Sequence, residues 1–94
     1  MTKNEILTYL TDHKKEFKVK YGVTKIGLFG SYARDDADEN SDIDIIVEME
    51  PKFKNFFALK RTIEDTLNKS VDLGLIESLR LLVKKEIERD IIYV

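Results

Sequence analysis

Gly30-Ser31 and Asp42-Ile43-Asp44, ten residues apart, are the residues of this chain best suited to chemistry on phosphate. Glycine lets backbone approach an anion closely, and a serine opening a helix adds a hydroxyl to N–H groups aimed the same way. Two aspartates one residue apart on a strand project from one face, with Cβ atoms about 7 Å apart, twice the strand rise. Their carboxylate arms can close that gap around one divalent cation or a pair, and bound cations relieve the repulsion between the two charges. Phosphoryl-transfer sites use two Mg²⁺ ions about 4 Å apart, one activating the attacking oxygen and one holding the leaving phosphate. The pattern therefore describes a site for a metal-bound nucleoside triphosphate.

A third acid joins the pair. In Ser70-Val71-Asp72-Leu73-Gly74-Leu75, the residues Val71, Leu73 and Leu75 form an apolar face. Asp72 then faces away from the core, as Asp42 and Asp44 do. Arg34 lies one helical turn beyond Ser31, placed either to reach a phosphate or to pair with Asp38. Each feature alone has an ordinary explanation as a turn, a cap or solvated strand polarity. Their joint arrangement is what carries the chemistry.

Particular elements must position these residues. Thr2 and Glu5 form a capping box that starts a helix near Lys3, and Gly22 ends it. Ile6, Leu10, His13 and Phe17 share one stripe of that helix. His13 reads as a core-edge residue, since no second histidine or cysteine exists to join it as a metal ligand. Lys25–Phe29 predicts a short strand, and Ser31 to about Arg34 a short helix. A polar loop follows through Asn40. Ile43, Ile45, Val47 and Met49 then alternate with Asp42, Asp44, Ile46 and Glu48, the period of a strand. Pro51 suits the first turn of a second long helix running to about Lys69, with Phe56, Leu59, Ile63 and Leu67 on its buried face. Ser70–Ile76 predicts a third strand and Glu77 to about Asp90 a third long helix. Ile91–Val94 is compatible with either an edge strand or an apolar tail docked on a partner.

The long helix between the second and third strands allows a parallel crossover, which sets Asp42 and Asp72 at one end of the sheet. Gly30-Ser31 ends the first strand. It meets those aspartates only if the first strand runs antiparallel to the second. The chemistry thus predicts a mixed sheet.

Composition narrows the rest. Ninety-four residues, without repeats or linkers, predict one domain over 1–94. So small a core leaves room for an oligomer or a hetero-complex. No cysteine and one histidine exclude thiolate and histidine-rich metal sites, so the metal is held by oxygen and Mg²⁺ is expected. No stretch reaches the roughly 20 apolar residues of a membrane span, and the N-terminus lacks a signal peptide's apolar core, so the expected location is cytoplasmic. Residues 30–50 carry one base and eight acids, against six bases and three acids in 1–29 and nine bases and seven acids in 51–94. Acid gathered at the working surface argues against direct nucleic-acid binding.

At this point the residues resemble the nucleotidyltransferase superfamily of DNA polymerase beta, and specifically its minimal, single-domain members. Gly30-Ser31, ten residues, then Asp42-Ile43-Asp44 is similar to that family's signature, and Asp72 fits its third carboxylate. The order α-β-α-β-α-β-α extends the resemblance over essentially the whole chain. It implies an α+β fold with a small mixed sheet packed by helices mainly on one face. It also implies transfer of NMP, with ATP the expected donor, to a hydroxyl, with release of pyrophosphate. Asp42 and Asp44 would bind both Mg²⁺ ions, Asp72 would bind the catalytic one and help deprotonate the acceptor, and Gly30 and Ser31 would hold the β/γ-phosphates. The family commonly has glycine after the arginine, whereas this chain has Asp35, which tolerates a left-handed backbone better than most residues.

Many minimal members resemble antitoxins that adenylylate a tyrosine of a small helical HEPN-type toxin. That resemblance implies a protein adenylyltransferase whose acceptor is another protein. Two other readings stay open. One is an antitoxin acting by contact alone; the other is a transferase for a small molecule such as an aminoglycoside, which would normally need an added helical acceptor domain.

Overall fold

The computed structural model describes residues 1–82 and 89–94, without the side chains of residues 80–82. Helix α1 spans Lys3–Tyr21 and is fixed at both ends by the residues expected to fix it. The Thr2 hydroxyl accepts from the Glu5 amide at 3.2 Å, while Glu5 Oε1 accepts from the Thr2 amide at 3.0 Å. Gly22 stops the helix at φ +75°, a left-handed conformation in which glycine carries no steric penalty. His13 is half-buried beside the ring of Tyr9, and its Nδ1 donates to the Tyr9 carbonyl at 2.8 Å, a structural use of the ring.

Strand β1 (Lys25–Phe29) leads directly into the one-turn helix α2 (Gly30–Ala33). Strand β2 (Ile43–Glu48), helix α3 (Phe53–Leu67), strand β3 (Val71–Leu75) and helix α4 (Ile76–Leu82) follow, and β4 (Ile92–Tyr93) ends the chain. The sheet order is β3-β2-β1-β4. β1 is antiparallel to β2, β2 is parallel to β3, and β4 adds to β1 antiparallel. The mixed sheet that the chemistry required is therefore present, and Ile91–Val94 supplies an edge strand.

Alternation along the strands builds the core. Ile26, Leu28, Ile43, Ile45, Val47, Val71 and Leu73 pack with Ile6, Leu10 and Phe17 of α1 and Leu59 and Ile63 of α3. Burying an aliphatic side chain of this size contributes about 1.5–3 kcal/mol. The opposite face of the sheet carries the aspartates.

Several boundaries differ from expectation. Pro51 is not in the first turn of α3: Lys52 is extended and caps a helix that begins at Phe53. Asn68, left-handed at φ 54°, ends that helix before Lys69. Phe56 and Leu67 reach the core only in part. The helix expected over Glu77 to about Asp90 is described from Ile76 to Leu82. Residues 83–88 lie outside the described residues, and Arg89-Asp90 form a turn leading to β4. Ile46 shares the face of the aspartates, yet is 1% exposed. Its strand neighbours Gly27 and Gly74 lack side chains, and Tyr93 and Ile91 crowd against Gly27 on the same side. Among the described residues no helix is long and apolar enough to cross a membrane.

Candidate active site

Strand register assembles the site. Asp44 of β2 lies directly beside Asp72 of β3, in a parallel pair whose strands run about 4.8 Å apart. Asp42 stands just before β2, one residue from the first paired position, Ile43↔Val71. On the other side of β2, Asp44 is opposite Phe29, the last residue of β1. Gly30 follows it, so the glycine-serine turn abuts the aspartates because the first hairpin is antiparallel. Five of the six predicted positions, Gly30, Ser31, Asp42, Asp44 and Asp72, thus meet at one end of the sheet.

Gly30 is left-handed at φ +73°, and its α-carbon faces the Asp44 side chain directly. A side chain there would overlap the carboxylate, so a glycine is required on both counts. No side chain caps the start of α2, and the half-buried Ser31 hydroxyl makes no hydrogen bond among the described residues. The serine hydroxyl at this turn is unspent among the described residues.

Two polar networks hold the loop between α2 and β2. Asp38 Oδ1 accepts from the Asn40 amide at 2.8 Å and from Ser41 Oγ at 3.2 Å, while Ser41 Oγ accepts from the Asp38 amide at 3.0 Å. Lys69 reaches across to donate to the Glu39 carbonyl at 3.2 Å, with its ammonium 5.7 Å from the Tyr32 ring centroid. The start of β3 is secured separately, by Glu64 accepting from the Val71 amide at 2.9 Å.

Arg34 is the C-cap of α2 and does not pair with Asp38, whose carboxylate is occupied by its own turn. Instead Arg34 Nε lies 3.3 Å from Asp36 Oδ2 and a terminal nitrogen lies 3.7 Å from Asp90 Oδ2. Asp35 adopts φ 61°, the left-handed conformation its place in the sequence requires, and Lys3 pairs with it at 2.8 Å. Lys3 and Lys69 are the participants that sequence reading missed. Each meets its partner about thirty positions away, a separation that leaves no local pattern.

The electrostatics centre on Asp44. Its carboxyl is held above the usual range, first by burial, then by the charges of Asp72 and Asp42, with Arg34 pulling the other way. An ionised triad at this position repels itself. Among the described residues no three acidic or imidazole side chains are closed around a common point, so the carboxylates form an open array. Asp42 and Asp72 are exposed, and neither carboxylate makes a hydrogen bond among the described residues. An oxygen-only donor set with excess negative charge and two unengaged members fits Mg²⁺, which prefers carboxylates with part of its water shell retained.

Comparison with known proteins agrees with this geometry. The nucleotidyltransferase domain family matches residues 10–94. Protein adenylyltransferase MntA of Thermococcus cleftensis is 42% identical over 96 aligned residues, covering 100% of this chain and 97% of that protein. A toxin–antitoxin crystal structure with AMP-PNP superposes with a TM-score of 0.57 at 29% identity, over 83% of this chain and 60% of the solved one. A mutant MntA–HpeT toxin–antitoxin structure gives 0.56 at 26% identity with the same coverage. The match thus spans about 60% of each solved chain.

Proposed function

This chain belongs to the nucleotidyltransferase domain family and is a nucleotidyltransferase, and from that premise we propose that it transfers AMP from ATP to a tyrosine hydroxyl of a HEPN-type toxin in the cytoplasm, acting as its antitoxin. The observation that carries this reading is the register that sets Asp44 beside Asp72 on one side and against the Gly30 turn on the other. The protein adenylyltransferase of Thermococcus cleftensis, which aligns with this chain almost end to end, supports a protein acceptor. The toxin–antitoxin neighbours support a toxin as that acceptor.

In this reading Gly30 and Ser31 hold the β- and γ-phosphates through backbone amides and the serine hydroxyl. Arg34 exchanges its carboxylate partners for a phosphate oxygen. Asp42, Asp44 and Asp72 would hold two Mg²⁺ ions. When bound, these supply Lewis-acid polarisation of the triphosphate and charge neutralisation at the leaving group. Asp72 takes the proton of the acceptor hydroxyl. The hydroxyl oxygen then bonds to the α-phosphorus, and the bond to the pyrophosphate oxygen breaks.

The test is to incubate the chain with the product of its adjacent gene, ATP and Mg²⁺, and to weigh the partner intact. A gain of one or more AMP groups that disappears with Asp44→Asn is expected. Modification that persists in that variant, or neutralisation of the toxin without any mass gain, refutes the proposal.

A further inference from the structure

We propose that Lys3 is a positioning residue for the nucleotide turn, holding Asp35 so that an aspartate can occupy a left-handed position beside the triphosphate. The inference rests on the reading that Gly30 and Ser31 bind phosphate.

Asp35 closes α2. Its own amide donates to the Tyr32 carbonyl at 3.3 Å, and its left-handed backbone directs the Asp36 amide onto the Ser31 carbonyl at 3.0 Å. The conformation of Asp35 therefore sets where Ser31 sits. Aspartate adopts that conformation less readily than glycine, and it adds a negative charge five positions from Gly30. Left alone, that charge would oppose a bound triphosphate.

Lys3 answers both difficulties. Its ammonium lies 2.8 Å from Asp35 Oδ2, joining the first residue of α1 to the turn across 32 positions of chain. The lysine side chain is 28% exposed and the aspartate 67%, so the more firmly seated partner is the lysine. Lys3 in turn belongs to a helix start fixed by the Thr2–Glu5 capping box. The pair turns the Asp35 carboxylate toward α1 and neutralises it there. Arg34 and Asp36 are engaged with each other, so Lys3 is the cation that compensates Asp35 among the described residues.

A double-mutant cycle reads this directly, with AMP-PNP and Mg²⁺ as the titrated ligand. Lys3→Ala should weaken AMP-PNP binding about threefold to tenfold, the range open to a partly screened charge. Lys3→Arg should restore it. In an Asp35→Gly background, Lys3→Ala should have no effect, because neither the charge nor the strain remains to be managed. In the transfer assay Lys3→Ala with Asp35 intact should raise KM for ATP and leave kcat at saturation unchanged, which a general loss of folding would not do. Equal losses in both backgrounds, or none in either, overturn the role of Lys3. Ser31→Ala keeps the two readings apart. If it weakens AMP-PNP binding while the cycle shows no coupling, phosphate binding stands and Lys3 has no part in it. If Ser31→Ala leaves binding untouched, the phosphate reading fails and takes this inference with it.

Discussion

Replacing Gly30 by alanine separates a backbone requirement from a chemical one, because Gly22 offers the same backbone without the chemistry. Both glycines are left-handed, at φ +73° and +75°. A Cβ at Gly22 meets nothing within 4 Å, so Gly22→Ala carries the conformational penalty alone, about 1–2 kcal/mol. For a domain of this size that lowers Tm by about 4–8 °C per kcal/mol. A Cβ at Gly30 would overlap Asp44 Oδ2 and stand 2.8 Å from its Cγ and 3.1 Å from its Cβ. Strand β2 is held on both sides by its ladders, so the backbone of Asp44 does not retreat. The carboxylate must rotate away. Gly30→Ala should therefore destabilise at least as much as Gly22→Ala. It should also reduce transfer about 100-fold, the scale of a misplacement of roughly 1 Å in a reacting group. Thermal melts and initial rates of AMP incorporation at saturating ATP give the two readouts. A Gly30→Ala rate within about threefold of wild type, or a Gly22→Ala variant equally impaired in transfer, would refute the argument.

Other outcomes follow from the charge and the packing. The folded state raises the Asp44 pKa above the ordinary aspartate value, so it retains a proton that the unfolded chain releases, and stability falls as pH rises from there through the folded pKa. Metal-free Asp44→Asn should consequently melt above wild type at neutral pH, with the difference vanishing below about pH 4. Mg²⁺ should raise the Tm of wild type more than that of the variant; a metal-free variant that melts lower than wild type contradicts the repulsion. Gly27→Ala would place a methyl 3.0 Å from Ile91 Cγ2 and Tyr93 Cδ1 and 3.1 Å from the Ile92 carbonyl. It should cost about 1–3 kcal/mol in denaturant unfolding by displacing β4, and an unchanged midpoint would show that β4 contributes little.

Much of this arrangement is legible in the amino-acid order because it depends on local periods. Thr2, Glu5 and Gly22 bound α1 as their chemistry dictates, and parity places Asp44 and Asp72 on one face. The direction of β1 follows once Gly30 is required to meet them. Legibility ends where a residue's environment comes from far along the chain. Parity assigns Ile46 to the face of the aspartates but says nothing of what covers it, and part of that cover is Ile91 and Tyr93 from the last strand. Pro51 has the right chemistry for a helix start, yet the extended Lys52 delays the helix to Phe53. The partners of Lys3, Lys69 and Arg34 are likewise set by tertiary placement, which no spacing encodes.

The antiparallel pairing of β1 with β2 bears on how the chain folds as well as on what it binds. Residues 30–42, which carry the turn, the acidic loop and Asp42, are also the connection whose closure zips the first two strands together. Loop-closure entropy grows only slowly with length, so a segment this long adds little barrier and can be given over to polar side chains. Asp44 meets Asp72 only after β3 has crossed over through α3, a non-local event of the kind that slows folding. The triad therefore assembles after the first hairpin. Before β3 pairs with β2, Asp72 lies twenty-eight positions from Asp44, and the three-carboxylate cluster that would attract a cation exists only once those two strands are joined.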